Sequence, residues 1–558
     1  MLYQRLYSSK QNRCCTSMKK VIKIVVGFTL LLPLTVCAYP LDAYKDTGIR
    51  RVEAARLSVL GEIPGRKQAA GALLPKRMVD LRLLAYPELE IPKADPVFTA
   101  KVKRLLGKKR SRYGISVLDI SNPDQPLYAE YRGKYRQNVG SVGKLLVGLA
   151  LFQVLADIYP DDIEARKKIL RETIVSADDF IRFDEHTVRI WNPESKKLRI
   201  RPVRIGDQGR LWEWLDWMLS ASSNAAAATV MQQVMLLKQF GARYPVNKDE
   251  SEILFSNTSR QELTQLFMDS FIEPLNRNGI DSESFRQGSF FTHYGKKKVK
   301  GTSSFGTARQ LMLFSLRMEQ GRLVDEFSSR ELKRLLYMTE RRIRYASAPA
   351  LSDSAVYFKS GSLYKCKPET DFVCEKYQGN VLNYMNSVAI VESPVGQRRL
   401  FYIVTLLSNI LYENSAVAHQ TLATRIHRLI EALHPVQEFS EDGIPVAASF
   451  GEHLIGYEEK RKQHLQIVNI QLALKKLGYA TGGIDGKIGR NTRKSIKSFQ
   501  YKYQMKQDGK PSEALLNKLN EISAILMPAH VEQSSHIKEQ LNPAPTYFRQ
   551  DGELEPPQ

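Results

Sequence analysis

Ser141 and Lys144 stand three residues apart in the stretch NVGSVGKLLVG, and two kinds of chemistry can use a serine and a lysine placed in this way. One is phosphate binding, in which a glycine precedes Gly143 by five residues and a Ser or Thr follows the lysine. Asn138 and Leu145 occupy these two positions, so the glycine of the tight turn and the magnesium-binding hydroxyl are both missing. Nucleotide binding is therefore not expected.

The other chemistry is acyl transfer by an activated serine. At this spacing a helix places Lys144 beside Ser141 on one face. A lysine buried among the apolar residues of LLVGLALF loses its proton near neutral pH, because desolvation disfavours the ammonium. It can then accept the serine proton and make Ser141 a nucleophile, while the helix start stabilises a developing oxyanion. The motif alone is weak, since such spacing is common in ordinary helices.

Two further polar motifs follow in the chain. The first is Ser222-Ser223-Asn224, which interrupts two apolar helical segments. A hydroxyl and an amide at this break can relay a proton and hold a substrate amide, although a plain polar turn would have the same letters.

The second motif is Lys359-Ser360-Gly361-Ser362, on a predicted strand. Lysine and serine side chains bind a carboxylate, and Gly361 allows a ligand to lie close to the strand. The backbone N–H of Ser362 offers a second donor to an oxyanion. A basic strand end is the simpler interpretation of this motif alone, and only the three motifs together favour an acyl-transfer site.

The elements around these motifs predict the fold. RYGISVLDI and LYAEYRG are predicted strands joined by the turn at 122–126, and a buried helix follows from Ser141. Near the end, SAVYFKSGSLYKC, NSVAIVES and RLFYIVTLL are three neighbouring strands, and AVAHQTLATRIHRLIEALH is a closing helix. Strands at both ends of a domain with helices between them indicate one sheet whose edge strand comes from the N-terminal part.

The N-terminal region predicts export. From Met18 a lysine-rich start is followed by an apolar run and by small residues ending at Ala38, which is typical of a signal peptide; residues 1–17 would be an upstream extension. The expected location is the periplasm or cell envelope, with a lipid anchor at Cys37 as a weaker alternative. Of five cysteines, Cys366 and Cys374 lie beyond this segment, and an even pair in an exported protein predicts a disulfide.

Charge and composition say less about which partners the protein binds. A net charge of +23 suits anionic wall polymers, membranes and nucleic acids alike, so charge alone does not choose among them. The nine histidines have no metal-binding spacing. We expect no metal, cofactor, nucleotide or nucleic acid, and no transmembrane helix in the mature chain.

The three motifs resemble the signatures of the penicillin-binding protein and serine β-lactamase superfamily. The likeness runs from about Tyr113 to Leu433 and is closest to class A β-lactamases, whose fold is an α/β sandwich with a helical lobe. It implies that Ser141 is acylated and that Lys144 and Ser222 handle protons. It also implies that Asn224 holds the substrate amide, that Lys359 and Ser360 bind its carboxylate, and that β-lactams are covalent ligands.

One departure from class A concerns deacylation. That class carries a glutamate in an E-x-x-L-N motif, which this sequence lacks; Glu273-Pro-Leu-Asn276 is one residue short and lies in a predicted helix. Without such a glutamate, water is poorly activated against an acyl-enzyme, which argues against an efficient β-lactamase. The cysteine pair would close an enlarged turn at the rim of the site.

A small module follows the catalytic domain. GYATGGIDGKIGRNTRKSIKSFQ resembles the signature of the peptidoglycan-binding domain type 1, a three-helix unit. We interpret its residues mostly as scaffold. They are Gly478, Tyr479, Asp485, Gly486, Gly489, Thr492, Phe499 and Gln500.

The predicted organisation has six parts. They are the upstream extension and signal peptide (1–38), an N-terminal extension (39–107), the catalytic domain (108–435), a linker (436–462), the peptidoglycan-binding domain (463–523) and a disordered tail (524–558). The leading hypothesis is an exported active-site-serine hydrolase or acyltransferase that acts on peptidoglycan peptides. The alternatives are a β-lactamase and a non-catalytic peptidoglycan-binding protein on the same fold.

Overall fold

A computed structural model describes residues 43–59, 61–64, 69–338, 342–397, 399–435, 463, 466–482, 484 and 486–526. The predicted signal peptide, the linker at 436–462, Asp485 and the tail beyond residue 526 lie outside the described residues. The predictions that concern these segments therefore stay predictions.

A five-stranded antiparallel sheet forms the centre of the catalytic domain, in the order β2-β1-β9-β8-β7. Its strands are β1 (Tyr113–Asp119), β2 (Leu127–Tyr131), β7 (Ala355–Lys365), β8 (Leu382–Ser393) and β9 (Leu400–Asn409). β2 is an edge strand, which confirms the predicted sheet topology; β7 is the other edge. Two small antiparallel pairs lie elsewhere, β3 (Ile174–Ser176) with β6 (Gln208–Arg210) and β4 (Thr187–Asn192) with β5 (Lys197–Pro202).

Helices precede the sheet and fill the chain between β2 and β7. In the N-terminal segment they are α1 (Tyr44–Thr47), α2 (Arg50–Val59) and α3 (Pro96–Leu105). Between β2 and β7 they are α4 (Lys144–Ile158), α5 (Ile163–Glu172), α6 (Leu211–Leu219), α7 (Asn224–Phe240), α8 (Lys248–Asn257), α9 (Arg260–Phe271), α10 (Glu273–Arg277), α11 (His293–Lys298), α12 (Ala308–Glu319) and α13 (Glu326–Tyr337). The closing helix is α14 (Ser415–Leu433).

Alternating side chains of the sheet serve two cores, as the two-residue period of a strand requires. On β8, Val388 and Ile390 pack with the helical lobe, whereas Ala389 and Val391 pack on the opposite face with α3 and α14. The sheet is thus covered on both faces, which explains why its three inner strands, β1, β8 and β9, are buried along nearly their whole length. The structure confirms the predicted α/β sandwich with a helical lobe.

α4 is the central helix of that lobe, and every residue from Lys144 to Leu155 is buried. Together with the 3₁₀ turn before it, Gly140–Ile158 has the length and hydropathy of a membrane-spanning helix. However, 78% of its most apolar window is buried inside the protein, as expected for a core helix. No other helix of the described residues has these properties.

The C-terminal module contains three helices, as predicted: α15 (466–476), α16 (Arg490–Lys502) and α17 (Glu513–Leu526). Its own small core is formed by one apolar face of each helix. The core residues are Ile470, Ala473, Leu474, Ile496, Phe499, Leu515 and Leu519.

A buried charge network joins the N-terminal segment to the helical lobe and to the central sheet. Lys333 on α13 donates to Glu319 on α12 (2.9 Å), to Glu392 on β8 (2.8 Å) and to the carbonyl of Asp80 (2.7 Å). Arg82 donates to both carboxylate oxygens of Glu392, at 3.1 and 2.9 Å. Burial opposes the ionisation of Glu392, but the charges of Arg82 and Lys333 outweigh it and hold its pKa at about 2. Four elements therefore depend on one set of matched charges.

We predict that Lys333→Met lowers the free energy of unfolding by about 3–5 kcal/mol, because it leaves two buried carboxylates to a single arginine. Chemical denaturation of the full-length chain measures this. Lys167→Met is the matched control, since Lys167 pairs with Glu164 on an exposed helix face and such pairs contribute at most about 1 kcal/mol. Equal losses in the two variants would contradict a structural role for the network.

Candidate active site

Ser141 lies in a 3₁₀ turn, Gly140–Gly143, that leads directly into α4. Gly140 has a φ of 53°, a left-handed conformation that a glycine adopts without strain. The turn is held from one side by Asn138, whose side chain accepts a hydrogen bond from the Gly140 amide at 2.8 Å. α4 is buried in the core on all sides. Lys144, its first residue, and Ser141, in the turn before it, therefore have a fixed orientation.

The Lys144 amine donates to three acceptors. These are the Ser141 hydroxyl at 2.9 Å, the Ser222 carbonyl at 2.7 Å and the Asn224 side-chain oxygen at 2.7 Å. The three contacts account for all the protons of an ammonium. A neutral amine would keep the two contacts to residues 222 and 224 and would offer its lone pair to the Ser141 hydroxyl. The geometry thus suits a lysine that exchanges a proton with Ser141.

Burial lowers the pKa of Lys144 to about 7, against an ordinary value of 10.5. The side chain is fully buried, and the ring centroid of Phe291 lies 4.7 Å from its nitrogen. The negative charge of Asp184 opposes the effect of burial without cancelling it. Near neutral pH the amine is therefore present in both its charged and its neutral form.

Ser222 and Asn224 reach the site because α6 ends at Leu219 and α7 begins at Asn224. Ser222 has a φ of 63° in the intervening turn, and this conformation directs its carbonyl to Lys144. Ser223 caps α7 by accepting from the amide of Ala226 at 3.1 Å. In the sequence this interruption looks like a simple polar turn. In the structure it brings together two acceptors for the Lys144 amine.

Asp184 is a site residue that the sequence did not reveal. Its Oδ2 accepts from the Ser223 hydroxyl at 2.9 Å and from the Ala225 amide at 2.8 Å, at the N-terminus of α7. Its Oδ1 contacts His186 Nδ1 at 2.5 Å. Burial opposes its ionisation, but His186, the Ala225 amide and Lys144 outweigh this and lower its pKa to about 2. It is a permanent anion beside the site.

Lys359 enters the site from β7. Its amine donates to the Ser222 hydroxyl at 2.8 Å and to its neighbour's carbonyl, that of Ser360, at 3.1 Å. Burial, together with the charges of Lys144 and Arg344, lowers its pKa well below the ordinary value. An anionic ligand would relieve this repulsion, so the site is electrostatically prepared for a carboxylate.

Arg344 is the second residue that the sequence did not reveal. It begins a 3₁₀ turn, Arg344–Ser347, that packs on α14. Its guanidinium donates to the hydroxyls of Ser360 (2.7 Å) and Ser362 (3.1 Å) on β7 and of Tyr377 (3.0 Å) in the following loop. A forked cation thus lies on Ser360, a residue of the predicted carboxylate site, and on Ser362, the predicted second oxyanion donor.

Gly361 allows β7 to lie directly against the Ser141 turn. A Cβ at this position would come within 2.2 Å of the Val139 carbonyl and 2.6 Å of the Ser141 amide nitrogen. A Cβ on Gly140 would likewise lie 3.3 Å from the Ser362 amide nitrogen. The two segments that carry the predicted oxyanion donors, Ser141 and Ser362, are therefore in contact.

Glu273 does not belong to the site. It lies in α10 and pairs with Arg277, which in turn contacts Asp157 at 2.8 Å. Asp157 is near the far end of α4, about 20 Å from Lys144 at a rise of about 1.5 Å per residue. Among the described residues, Asp184 is the only carboxylate whose charge acts on Lys144, and both of its oxygens are occupied.

Cys366 and Cys374 form a disulfide that closes the turn after β7. The predicted pairing is therefore present, and Tyr377, the partner of Arg344, lies three residues beyond Cys374 in the same loop between β7 and β8. The described residues contain no group of three or more His, Cys, Asp or Glu side chains that could hold a metal ion.

The signature residues of the small module make internal contacts. Thr492 donates to the Thr481 carbonyl at 3.1 Å, and Gln500 accepts from the Gly509 amide at 2.9 Å. Tyr479 packs edge-on against Phe499, with ring centroids 5.9 Å apart. The glycines mark the turns and the start of a helix: Gly478 (φ 83°), Gly486 (φ 70°) and Gly489 at the N-cap of α16.

Comparison with known proteins gives two family matches and several similar structures. The chain is 12% identical to PBP-A over 62% of this chain and 100% of that one (TM-score 0.37). It is 16% identical to a β-lactamase from Chitinophaga pinensis over 60% and 98% (TM-score 0.38). It is 14% identical to the TLA-1 extended-spectrum β-lactamase over 62% and 100% (TM-score 0.39). No curated protein matches the chain.

The family models cover most of the described structure. A peptidoglycan binding domain matches residues 463–519, which correspond to the C-terminal three-helix module. The β-lactamase enzyme family model matches residues 97–430, a span that begins in α3 and includes Ser141, Lys144 and the motifs on α7 and β7. The chain belongs to the β-lactamase enzyme family and carries a C-terminal peptidoglycan-binding domain.

Proposed function

We propose that this protein is an active-site-serine acyltransferase or hydrolase that acts on peptidoglycan peptides in the cell envelope through an acyl-enzyme. The observation that carries the proposal is the buried Lys144 amine, 2.9 Å from the Ser141 hydroxyl in a chain that also has a peptidoglycan-binding domain.

In the proposed reaction, neutral Lys144 removes the proton of Ser141 as its oxygen attacks a peptide carbonyl. The resulting oxyanion lies between the amides of Ser141 and Ser362. Ser222, whose hydroxyl is bound to Lys359, is placed to pass a proton to the leaving nitrogen. The bond to the leaving amine then breaks and the acyl group stays on Ser141.

The proposed substrate carries a carboxylate beside the reacting carbonyl. Lys359, Arg344 and the serines of β7 form a compact group of donors next to Ser141, and an arginine fork matches the two oxygens of a carboxylate. Asn224, which already accepts from Lys144, keeps its amide N–H groups for a substrate carbonyl.

The β-lactamase alternative requires rapid hydrolysis of the acyl-enzyme. The described residues place the half-buried Phe291 over Lys144, and they place no free carboxylate oxygen at the Ser141–Lys144 pair. An aromatic ring cannot activate water. We therefore favour transfer to another amine, or slow hydrolysis, over efficient β-lactam turnover.

We predict that penicillin G forms a stoichiometric and long-lived adduct on Ser141, because water is poorly activated there. Mass spectrometry of the full-length chain, followed over time, measures both the site and the lifetime of the adduct. Ser141→Ala should abolish the adduct, whereas Ser195→Ala, in the exposed turn between β4 and β5, should leave it unchanged.

Three other results would contradict this prediction, and each would lead to a different conclusion. Labelling of Ser141→Ala would remove Ser141 as the nucleophile. An adduct that disappears within a few turnovers would support the β-lactamase alternative instead. A wild-type chain that is never labelled would support a binding protein without catalysis.

A second prediction concerns pH. Since only the neutral amine can accept the serine proton, the acylation rate should rise with pH through a midpoint near 7, the pKa of Lys144. Asp184→Asn removes the negative charge that stabilises the ammonium, so the midpoint should move to lower pH. Stopped-flow acylation at a series of pH values measures the midpoint.

Asp179→Asn provides the matched control, because Asp179 lies in the same segment but forms an exposed pair with Arg182. Its pH profile should coincide with that of the wild type. A midpoint that moves upward in Asp184→Asn, or that moves equally in both variants, would contradict the assigned interaction.

A further inference from the structure

Tyr377 lies outside every motif of the sequence, yet it completes the environment of Arg344. Its hydroxyl accepts from Arg344 at 3.0 Å, and its ring centroid lies 4.8 Å from the guanidinium carbon. The same guanidinium donates to Ser360 and Ser362 on β7. Tyr377 therefore contacts the same guanidinium that binds the two serines of β7.

Arg344 needs this support because its own position is unfavourable. Its φ of 58° is a left-handed conformation that residues with a side chain rarely adopt. Its Nε is buried and has no hydrogen-bond partner among the described residues. A guanidinium in such a position stays in place only if its remaining contacts are strong, and three hydroxyls supply them.

The loop between β7 and β8 presents Tyr377. The disulfide joins Cys366 to Cys374, and Asn380 bonds to both the amide and the carbonyl of Lys367 at 2.9 and 2.8 Å. Tyr377 itself has a φ of 66°, and its carbonyl accepts from the Ser415 amide at the start of α14 at 3.0 Å. The loop is therefore closed on itself and attached to the helix on which the Arg344 turn packs.

We propose that Tyr377 is a positioning residue. The loop between β7 and β8, cross-linked by the Cys366–Cys374 disulfide and by Asn380, holds it against Arg344 so that the guanidinium is aligned for the substrate carboxylate. This inference rests on the proposed function and extends it to the loop at 366–381. Tyr377 would not touch the reacting atoms. It would act through Arg344, and only on ligands that carry the carboxylate.

The test compares two acylating ligands on the full-length chain, penicillin G and its methyl ester, which lacks the carboxylate. Tyr377→Phe should lower the second-order acylation constant for penicillin G about tenfold, since a hydrogen bond to a charged group is lost. The constant for the ester should not change. Tyr364→Phe is the matched control, because Tyr364 is an exposed tyrosine that touches the Tyr377 ring at its edge.

Two further variants test the route through Arg344 and the loop. In Arg344→Lys, the added change Tyr377→Phe should have no further effect, because a lysine cannot make the forked contact. The double variant Cys366→Ser/Cys374→Ser should also weaken acylation by penicillin G and leave the ester unaffected.

The outcomes separate the inference from the proposed function. If neither ligand labels wild-type Ser141, the proposed function fails. If wild type is labelled and Tyr377→Phe loses both ligands equally or neither, the positioning role fails. If Tyr377→Phe behaves as predicted but the double cysteine variant behaves like wild type, the disulfide does not contribute to the position of Tyr377, and that part of the inference is refuted.

Discussion

The burial of Lys144 is the constraint on which the site depends. A buried ammonium must have acceptors for its protons, and a buried amine must have donors or acceptors that fit its neutral form. The acceptors come from the turn between α6 and α7, so two helices had to be separated at Ser222 to supply them. Asp184 then caps the new helix start and adds one negative charge nearby. Burial lowers the pKa of Lys144, and the charge of Asp184 opposes this effect only in part.

Buried charges are balanced in the network around Lys333 and unbalanced in the site around Ser141. Around Lys333 the cations and carboxylates are matched, and the network joins α12, α13, β8 and the N-terminal segment. Around Ser141 the cationic side chains of Lys144, Lys359 and Arg344 lie near a single carboxylate. Burial lowers the pKa values of Lys144 and Lys359, and the charges of Lys144 and Arg344 lower that of Lys359 further. Matched charges serve stability, whereas the excess of positive charge leaves a place for an anionic ligand.

Sequence patterns predicted the parts of the site that depend on local spacing. Ser141 and Lys144 lie one turn apart, and Lys359 to Ser362 follow one strand, so their relations can be read from the chain itself. Asp184, Arg344 and Tyr377 could not be found in this way, because the contacts that bring each of them to the site join residues far apart in the chain and outside its motifs. Arg344 and Tyr377 are also non-glycine residues at positive φ, a conformation that only the assembled fold imposes. The sheet was predicted more fully, since apolar strands and a closing helix leave few topologies open.

The chemistry of acyl release is where this chain differs from the class A pattern. The ring of Phe291, centred 4.7 Å from the Lys144 nitrogen, is an apolar surface that excludes water from one side of the amine. The same exclusion opposes hydrolysis, and the described residues place no free carboxylate oxygen there that could activate an attacking water. In the proposed reaction the acyl-enzyme is therefore resolved by an acceptor that the substrate polymer brings. In this proposal, binding of the polymer by the C-terminal domain would raise the local concentration of such acceptors, since linked binding makes the encounter effectively intramolecular. In this proposal slow hydrolysis lengthens the lifetime of the acyl-enzyme, and binding to the polymer supplies an acceptor within that lifetime, so both properties favour transfer.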